Sequence, residues 1–190
     1  MMVLEGASAL SPFRRERLES RLQSLAADLR ITGAWHVYFI QTEGDATPDP
    51  AILSRILEAQ PALAPQEAGA ISRFVVPRLG TLSPWSSKAT ELVRGAGQPI
   101  RRVERGLRID LAGWPADAAA REAVIRALHD PMTQSVLDDA AQAQALFTAP
   151  ARGELERVAL EDLEAANPRL GLAMAQDEID YLRQRFGHLG

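Results

Sequence analysis

The chain contains a degenerate internal repeat, and this repeat limits the possible folds more than any other feature. A shift of 72 residues, without gaps, brings Leu10-Ser11-Pro12-Phe13 onto Leu82-Ser83-Pro84-Trp85 and residues 35–40 onto 107–112. The same shift matches Val3 and Leu4 with Val75 and Val76, and Leu53 and Ile56 with Ile125 and Leu128. Each copy is a β-α-β-α unit of roughly 70 residues with half a core. We therefore predict an α+β fold, a two-layer sandwich of two pseudo-repeated units.

The elements of both copies follow from local patterns. Ser11-Pro12 and Ser83-Pro84 predict helix starts, because serine caps free N–H groups and proline suits the first helical position. The first helix should carry Leu18, Leu22, Leu25 and Leu29 on one face. The remaining predicted elements are strand 35–40, helix 51–59, strand 71–76, helix 84–95, strand 107–111 and helix 116–128.

The pattern changes after Leu128. Residues 130–147 and 154–166 are predicted to be helical, Asn167-Pro168 should end a helix, and another should begin near Gln176. No strand is expected in this stretch. We predict an N-terminal domain over 1–147, with pseudo-repeats at about 1–72 and 73–147. A mainly helical linker over 148–190 should then lead to a domain that this chain lacks.

Composition excludes several classes of function. The net charge is −4, which disfavours nucleic acid as a partner. No apolar run is long enough for a membrane span and no signal peptide is evident, so we expect a soluble, cytoplasmic protein. Without cysteine, and with His36, His129 and His188 far apart, a metal site is not expected.

Two segments carry a family resemblance. Residues 78–90 read Arg-Leu-Gly-Thr-Leu-Ser-Pro-Trp-Ser-Ser-Lys-Ala-Thr and are followed by Glu104-Arg105-Gly106. Residues 167–182 begin Asn-Pro-Arg-Leu-Gly-Leu-Ala-Met-Ala-Gln. The first segment resembles a loop of the N-terminal domain of large, single-chain phosphoribosylformylglycinamidine synthases, and the second resembles their linker. Pro131 departs from the pattern, because relatives often carry arginine there.

The resemblance implies an architecture and a set of partners. In that family the N-terminal domain is similar to a fused dimer of a small ancillary subunit. The whole enzyme is a glutamine-dependent ligase of purine biosynthesis. It converts formylglycinamide ribonucleotide, ATP and glutamine to formylglycinamidine ribonucleotide, ADP, phosphate and glutamate. The implied partners are the synthetase and glutaminase domains of the same polypeptide. No cofactor is expected in this chain; ATP and magnesium are implied for the full-length enzyme, and the fragment alone should be inactive.

The repeat divides the 78–90 segment into two parts. Ser83-Pro84-Trp85 has a counterpart in the first copy and is explained by helix initiation. The second copy differs at the six candidate residues for a substrate or interface loop, which are Arg78, Gly80, Thr81, Ser86, Ser87 and Lys88. They could seat a phosphate or carboxylate on the first helical turn, or they could be solvated and contact neighbouring domains.

Other polar residues are interpreted as structural. Residues 101–105 are assigned to one solvated strand face, and His36 is interpreted as a hydrogen-bonded structural histidine. No catalytic residue is expected. The competing hypothesis is a free-standing dimerisation or anion-binding α+β module without enzymatic activity.

Overall fold

The structure is a computed structural model that describes residues 1–148 and 157–187. The chain divides into two compact units, Met1–Pro150 and Ala151–Gly190. The first unit contains β1 (Met2–Ser8), α1 (Pro12–Gln23), β2 (Arg30–Thr42), α2 (Pro50–Leu57), β3 (Ile71–Pro77), α3 (Pro84–Gly95), β4 (Ile100–Ala112), α4 (Ala118–Leu128), β5 (Gln134–Leu137) and a 3-10 helix (Ala140–Phe147). The order of the first eight elements confirms the two predicted β-α-β-α units.

The five strands form one antiparallel sheet in the order β1-β2-β4-β3-β5. The long strands β2 and β4, one from each copy, pair at its centre, and β1 and β3 flank them. The α+β prediction is therefore confirmed. The two copies are joined edge to edge, because each contributes one of the two central strands.

The shift that relates the copies is 72 at the helix starts but 71 in the core. Ser11 and Ser83 both cap helices, as predicted. The buried residues Leu22, Leu53 and Leu57 instead correspond to Val93, Val124 and Leu128, which all lie 71 positions later. The gap-free 72-residue match is therefore wrong for the core, because burial follows the inward helix face and not the distance from the cap.

The pseudo-two-fold axis passes through one strand pair. His36 of β2 faces Leu107 of β4, and these two positions are themselves 71 residues apart. On either side of this pair, Tyr38 and Ile40 correspond to Ile109 and Leu111. The axis therefore relates the two halves of the sheet about the His36–Leu107 pair.

The four helices cover one face of the sheet in two clusters. Helices α2 and α3 pack around Tyr38, Ile40 and Val103, whereas α1 and α4 pack around Ile109 and Leu111. Each helix presents its apolar stripe to the strands, which accounts for the two-layer sandwich. The opposite face is covered by Leu63 and by the 3-10 helix, which pack against Val37, Phe39, Phe74, Val76 and Leu137.

The face of the sheet opposite the four helices also contains a buried ionic network. The Arg108 side chain is 2% exposed, and its Nη1 donates to Glu5 Oε2 at 3.0 Å. Its Nη2 donates to Asp110 Oδ2 at 2.7 Å, and its guanidinium lies 5.2 Å from the Trp35 ring centroid. This network joins the two copies, because Glu5 belongs to β1 and Arg108 to β4.

Two secondary-structure predictions for the first unit are wrong. Residues 130–147 are not continuously helical, because β5 forms there by pairing with β3. Helix α1 ends at Gln23, so Leu25 and Leu29 lie beyond it. Leu29 is buried, but Leu25 is 41% exposed and adds nothing to the predicted stripe.

The second unit contains a short 3-10 helix (Leu160–Asp162), α5 (Leu163–Leu170) and α6 (Gln176–Phe186). The expected stop at Asn167-Pro168 is wrong, because α5 continues past Pro168 to Leu170 and is capped by Gly171, which adopts a left-handed conformation. The Asn167 side chain fixes the following turn through Met174, donating to its carbonyl at 2.8 Å and accepting from its N–H at 2.9 Å. Part of the predicted helix 154–166 lies outside the described residues.

Candidate functional site

The loop between β3 and α3 begins at Arg78 and ends at the helix cap Ser83. The Ser83 Oγ accepts a hydrogen bond from the Ser86 N–H at 3.0 Å, and Pro84 occupies the first helical position. Within the loop, Gly80 has φ +83°, a conformation that disfavours side chains. The Thr81 Oγ1 donates to the Arg78 carbonyl at 2.6 Å, so the loop is held by its own hydrogen bonds.

A buried carboxylate supports this loop from below. Glu104 is fully buried and accepts from the Ser83 hydroxyl at 2.8 Å. Arg102 forms an ion pair with Glu104 and donates to the carbonyls of Thr81 at 2.7 Å and Leu146 at 2.9 Å. The interpretation of 101–105 as one solvated face is therefore wrong for Arg102 and Glu104.

The six residues singled out from the sequence do not converge on one site. Arg78 and Thr81 line one cavity, Ser87 lines a second cleft, and Lys88 lines a third. Ser86 is fully buried, and its hydroxyl donates to the Val103 carbonyl at 2.6 Å. The serines and the lysine of the first helical turn therefore do not form a common anion seat.

The cavity beside Arg78 lies over the pseudo-two-fold axis. Its volume is about 560 Å³. His36, Leu107 and Val75 stand side by side on β2, β4 and β3 and form its floor. The rest of the lining comes from Val76, Pro77, Arg78, Thr81, Leu82, Ser83, Pro84, Arg105, Gly106, Met132, Thr133 and Gln134.

The lining of this cavity carries positive charge and no carboxylate. Burial, and then the charge of Arg105, lower the pKa of His36, while the Gly106 backbone has a smaller opposing effect. His36 is therefore neutral at pH 7. Its Nδ1 is buried and has no hydrogen-bond partner among the described residues. The prediction of a hydrogen-bonded structural histidine does not hold for this nitrogen, although the ring hydrogen-bonds the Gly106 backbone.

The neighbouring cleft around Lys88 has a different chemistry. Tyr38 stacks on Trp85 with ring centroids 5.7 Å apart, and the Arg105 guanidinium lies 4.9 Å from the Trp85 centroid. Burial raises the pKa of Tyr38, with Arg105 lowering it and Glu58 raising it. Glu58 lines this cleft together with Lys88, so the cleft contains charges of both signs.

Sequence reasoning missed His36 and Arg105 as site residues. A signal for Arg105 was present in β4. Val103, Leu107, Ile109 and Leu111 occupy alternate positions of this strand, as residues on a face directed to the core do. Arg105 interrupts that apolar series on the same face. A charged residue in such a series indicates either a buried partner or a cavity.

A family model matches most of the first unit. It is described as formylglycinamide ribonucleotide amidotransferase N-terminal, and it matches residues 35–147. The chain belongs to this family. The membership confirms the resemblance given by residues 78–90. The matched region of this amidotransferase N-terminal domain begins in β2 and includes the loop, Glu104 and every residue that lines the cavity.

Two further classes of site have no counterpart in the part of the chain that the structure describes. Over 1–148 and 157–187, no three or more His, Cys, Asp or Glu side chains are grouped as a metal site requires. None of the helices in these ranges combines the length and apolar character needed to cross a membrane.

Proposed function

We propose that the chain is a non-catalytic scaffold, the N-terminal portion of a phosphoribosylformylglycinamidine synthase in purine biosynthesis. In this proposal it organises the contact between the synthetase and glutaminase domains of the same polypeptide and supports ammonia transfer. The enzyme as a whole would convert formylglycinamide ribonucleotide, ATP and glutamine to formylglycinamidine ribonucleotide, ADP, phosphate and glutamate. The family membership supports the assignment to this enzyme.

The observation that carries the scaffold role is an apolar rim around the cavity. Leu79, Leu82 and Met132 are 38%, 59% and 73% exposed, and all three lie at or beside the 78–83 loop. Exposed apolar side chains grouped in this way are typical of protein–protein contact surfaces. The rim is also fixed in place, since Glu104 and Arg102 hold the loop. Such preorganisation reduces the entropy that association must overcome.

The candidate residues have distinct places in this proposal. Arg78, Gly80 and Thr81 shape the exposed loop, and Ser87 and Lys88 extend the contact surface along the first turn of α3. Ser86 positions that turn from inside, through its bond to Val103. We assign ATP and magnesium to the synthetase domain, which would also carry the bond-making residues.

Kinetics of the full-length enzyme that carries this domain test the proposal. Leu82→Gln removes an apolar contact from the rim, and Leu92→Gln is its matched control, because the two leucines are 59% and 61% exposed and Leu92 lies further along α3. Lys88→Ala probes the polar part of the surface. Turnover should be measured with glutamine and, separately, with ammonia as the nitrogen source.

We expect Leu82→Gln to lower the glutamine-dependent rate about tenfold, corresponding to ~1.4 kcal/mol of lost coupling, while the ammonia-dependent rate stays unchanged. Loss of both rates would place the loop at the acceptor site and replace the scaffold role by substrate binding. Equal and small effects of Leu82→Gln and Leu92→Gln would contradict the proposed contact surface.

A further inference from the structure

The cavity over the pseudo-two-fold axis offers unpaired cationic groups. Arg78 and Arg105 lie on its rim and His36 on its floor, and no aspartate or glutamate lines it. Arg73, Arg102 and Arg108, whose side chains are mostly buried, pair with carboxylates, whereas Arg78 and Arg105 are exposed. Within the described residues, neither Arg78 nor Arg105 makes an ion pair. This combination of a concave surface and unneutralised guanidinium groups is typical of oxyanion binding.

The backbone of Arg78 and the side chain of Arg105 are positioned before any ligand arrives. The backbone N–H of Arg78 donates to the Thr133 carbonyl at 2.8 Å, so the start of the loop is tied to the turn before β5. The Arg105 guanidinium rests on the Trp85 ring, and a cation–π contact of this kind restricts the side chain without using its hydrogen-bond donors. Donors held in place in this way lose little entropy when they bind.

The histidine on the floor supplies a third polar group. Its Nδ1 is buried without a hydrogen-bond partner among the described residues. Burial and the charge of Arg105 lower the pKa of the imidazole, while its hydrogen bond with the Gly106 backbone favours the charged form. An anion above His36 would also favour protonation of the ring.

We propose that this cavity binds a small oxyanion, a phosphate or carboxylate group, through Arg78 and Arg105 with His36 beneath it. The proposal goes beyond the scaffold role, because residues of this domain alone form the site. The seat lies on the sheet and the β3–α3 loop. It is therefore distinct from a seat on the first turn of α3, where Ser86 is buried and Lys88 lines another cleft.

The test is a titration of the chain with inorganic phosphate, followed by NMR of the histidine rings. We expect saturable shifts of the His36 ring. His129 is an internal reference, because its Nδ1 already lies 2.7 Å from the Ile125 carbonyl. Arg105→Gln and Arg78→Gln should each weaken binding about tenfold, the effect of losing one charge-assisted hydrogen bond. Arg101→Gln is the matched control on the same strand, outside the cavity, and should change binding less than about twofold.

A parallel titration with acetate at the same ionic strength identifies the source of the oxyanion. Saturation by phosphate indicates a phosphorylated small molecule, and saturation by acetate alone indicates a carboxylate. If neither ion saturates, or if Arg101→Gln weakens binding as much as Arg105→Gln, the shifts report an adventitious ion only and the site is rejected. Circular dichroism of each variant separates lost binding from lost folding. Because binding is measured on this chain, its failure would leave the scaffold proposal untouched.

Discussion

The two copies begin their first helices with the same residues but support those helices differently. Ser11 caps α1 through one hydrogen bond of 3.4 Å from the Arg14 N–H, and the Phe13 side chain that follows is 70% exposed. Ser83 caps α3 at 3.0 Å and also donates to Glu104. At the core shift of 71, the position that corresponds to Glu104 is Gly33, which has no side chain. Both copies therefore share the serine cap, but only in the second copy does the capping serine also bond a buried carboxylate.

The two copies also differ on the face of the sheet opposite the helices. Val37 and Phe39 of the first copy are apolar and fully buried. Their counterparts at the shift of 71 are Arg108 and Asp110, which form a buried ion pair. Both copies thus keep an apolar core on the helix-covered face, while the other face carries an ionic network with Arg108 and Asp110 from the second copy and Glu5 from the first. On this face, polar side chains hold loops in place, because hydrogen bonds and ion pairs have a directional geometry.

The largest effect should come from removing the cation of the buried network. Arg108→Met leaves Glu5 and Asp110 buried without their partner, so we expect a loss of about 3–5 kcal/mol in the free energy of unfolding. Urea unfolding followed by tryptophan fluorescence measures it, since Trp35, Trp85 and Trp114 all lie in the first unit. Arg101→Met, at an exposed position of the same strand, should cost less than about 0.5 kcal/mol. Similar losses in both variants would show that the network contributes little.

The next largest effect tests the support of the loop. Glu104→Gln removes the charge that Ser83 and Arg102 bind, and we expect a loss of about 2–3 kcal/mol in the free energy of unfolding. Arg102 keeps its two carbonyl acceptors, which limits the loss. Glu91→Gln, an exposed change on α3, is the control. The comparison between the copies would be weakened if Glu104→Gln were as neutral as this control.

A pair of cap substitutions compares the copies directly. Ser83→Ala should cost about 1–2 kcal/mol, because it removes both the cap and a bond to Glu104. Ser11→Ala should cost about 0.5–1 kcal/mol, since its single capping bond is long and exposed. Thermal unfolding of the two variants gives the difference. Equal losses would mean that Glu104 adds nothing to the second cap.

The smallest effect concerns His36 at the axis. Its pKa is lowered in the folded state, so protonation favours the unfolded chain. Stability contributed by the neutral ring is present above the pKa of histidine in an unfolded chain, about 6.5, and is lost as the pH falls through the lower pKa of the folded state. His36→Leu should therefore flatten the acid side of the stability profile. His129→Gln serves as the comparison, and an unchanged slope in His36→Leu would refute the assignment.

The sequence was most informative where short-range rules decide the structure. Helix α3 has the predicted bounds of Pro84 to Gly95, because capping and the proline at its start are local. Strand β5 was missed, since a four-residue edge strand exists only through its pairing with β3. The burial of Glu104 was also missed, because a carboxylate beside three arginines in sequence is equally compatible with a solvated face. The cavity was missed because its lining depends on strand register. Register determines which residues of β2, β3 and β4 stand opposite one another.

The position of the symmetry axis has a consequence for the kind of molecule that the cavity can hold. In a dimer of identical subunits, a residue on a two-fold axis must face its own copy, so any group bound there meets two equal halves. Two unlike copies within one chain are free of that requirement, and this chain places His36 opposite Leu107 at the centre of the sheet. One half of the cavity floor is polar and the other apolar. An asymmetric molecule can therefore be held there in a single orientation, one molecule per chain.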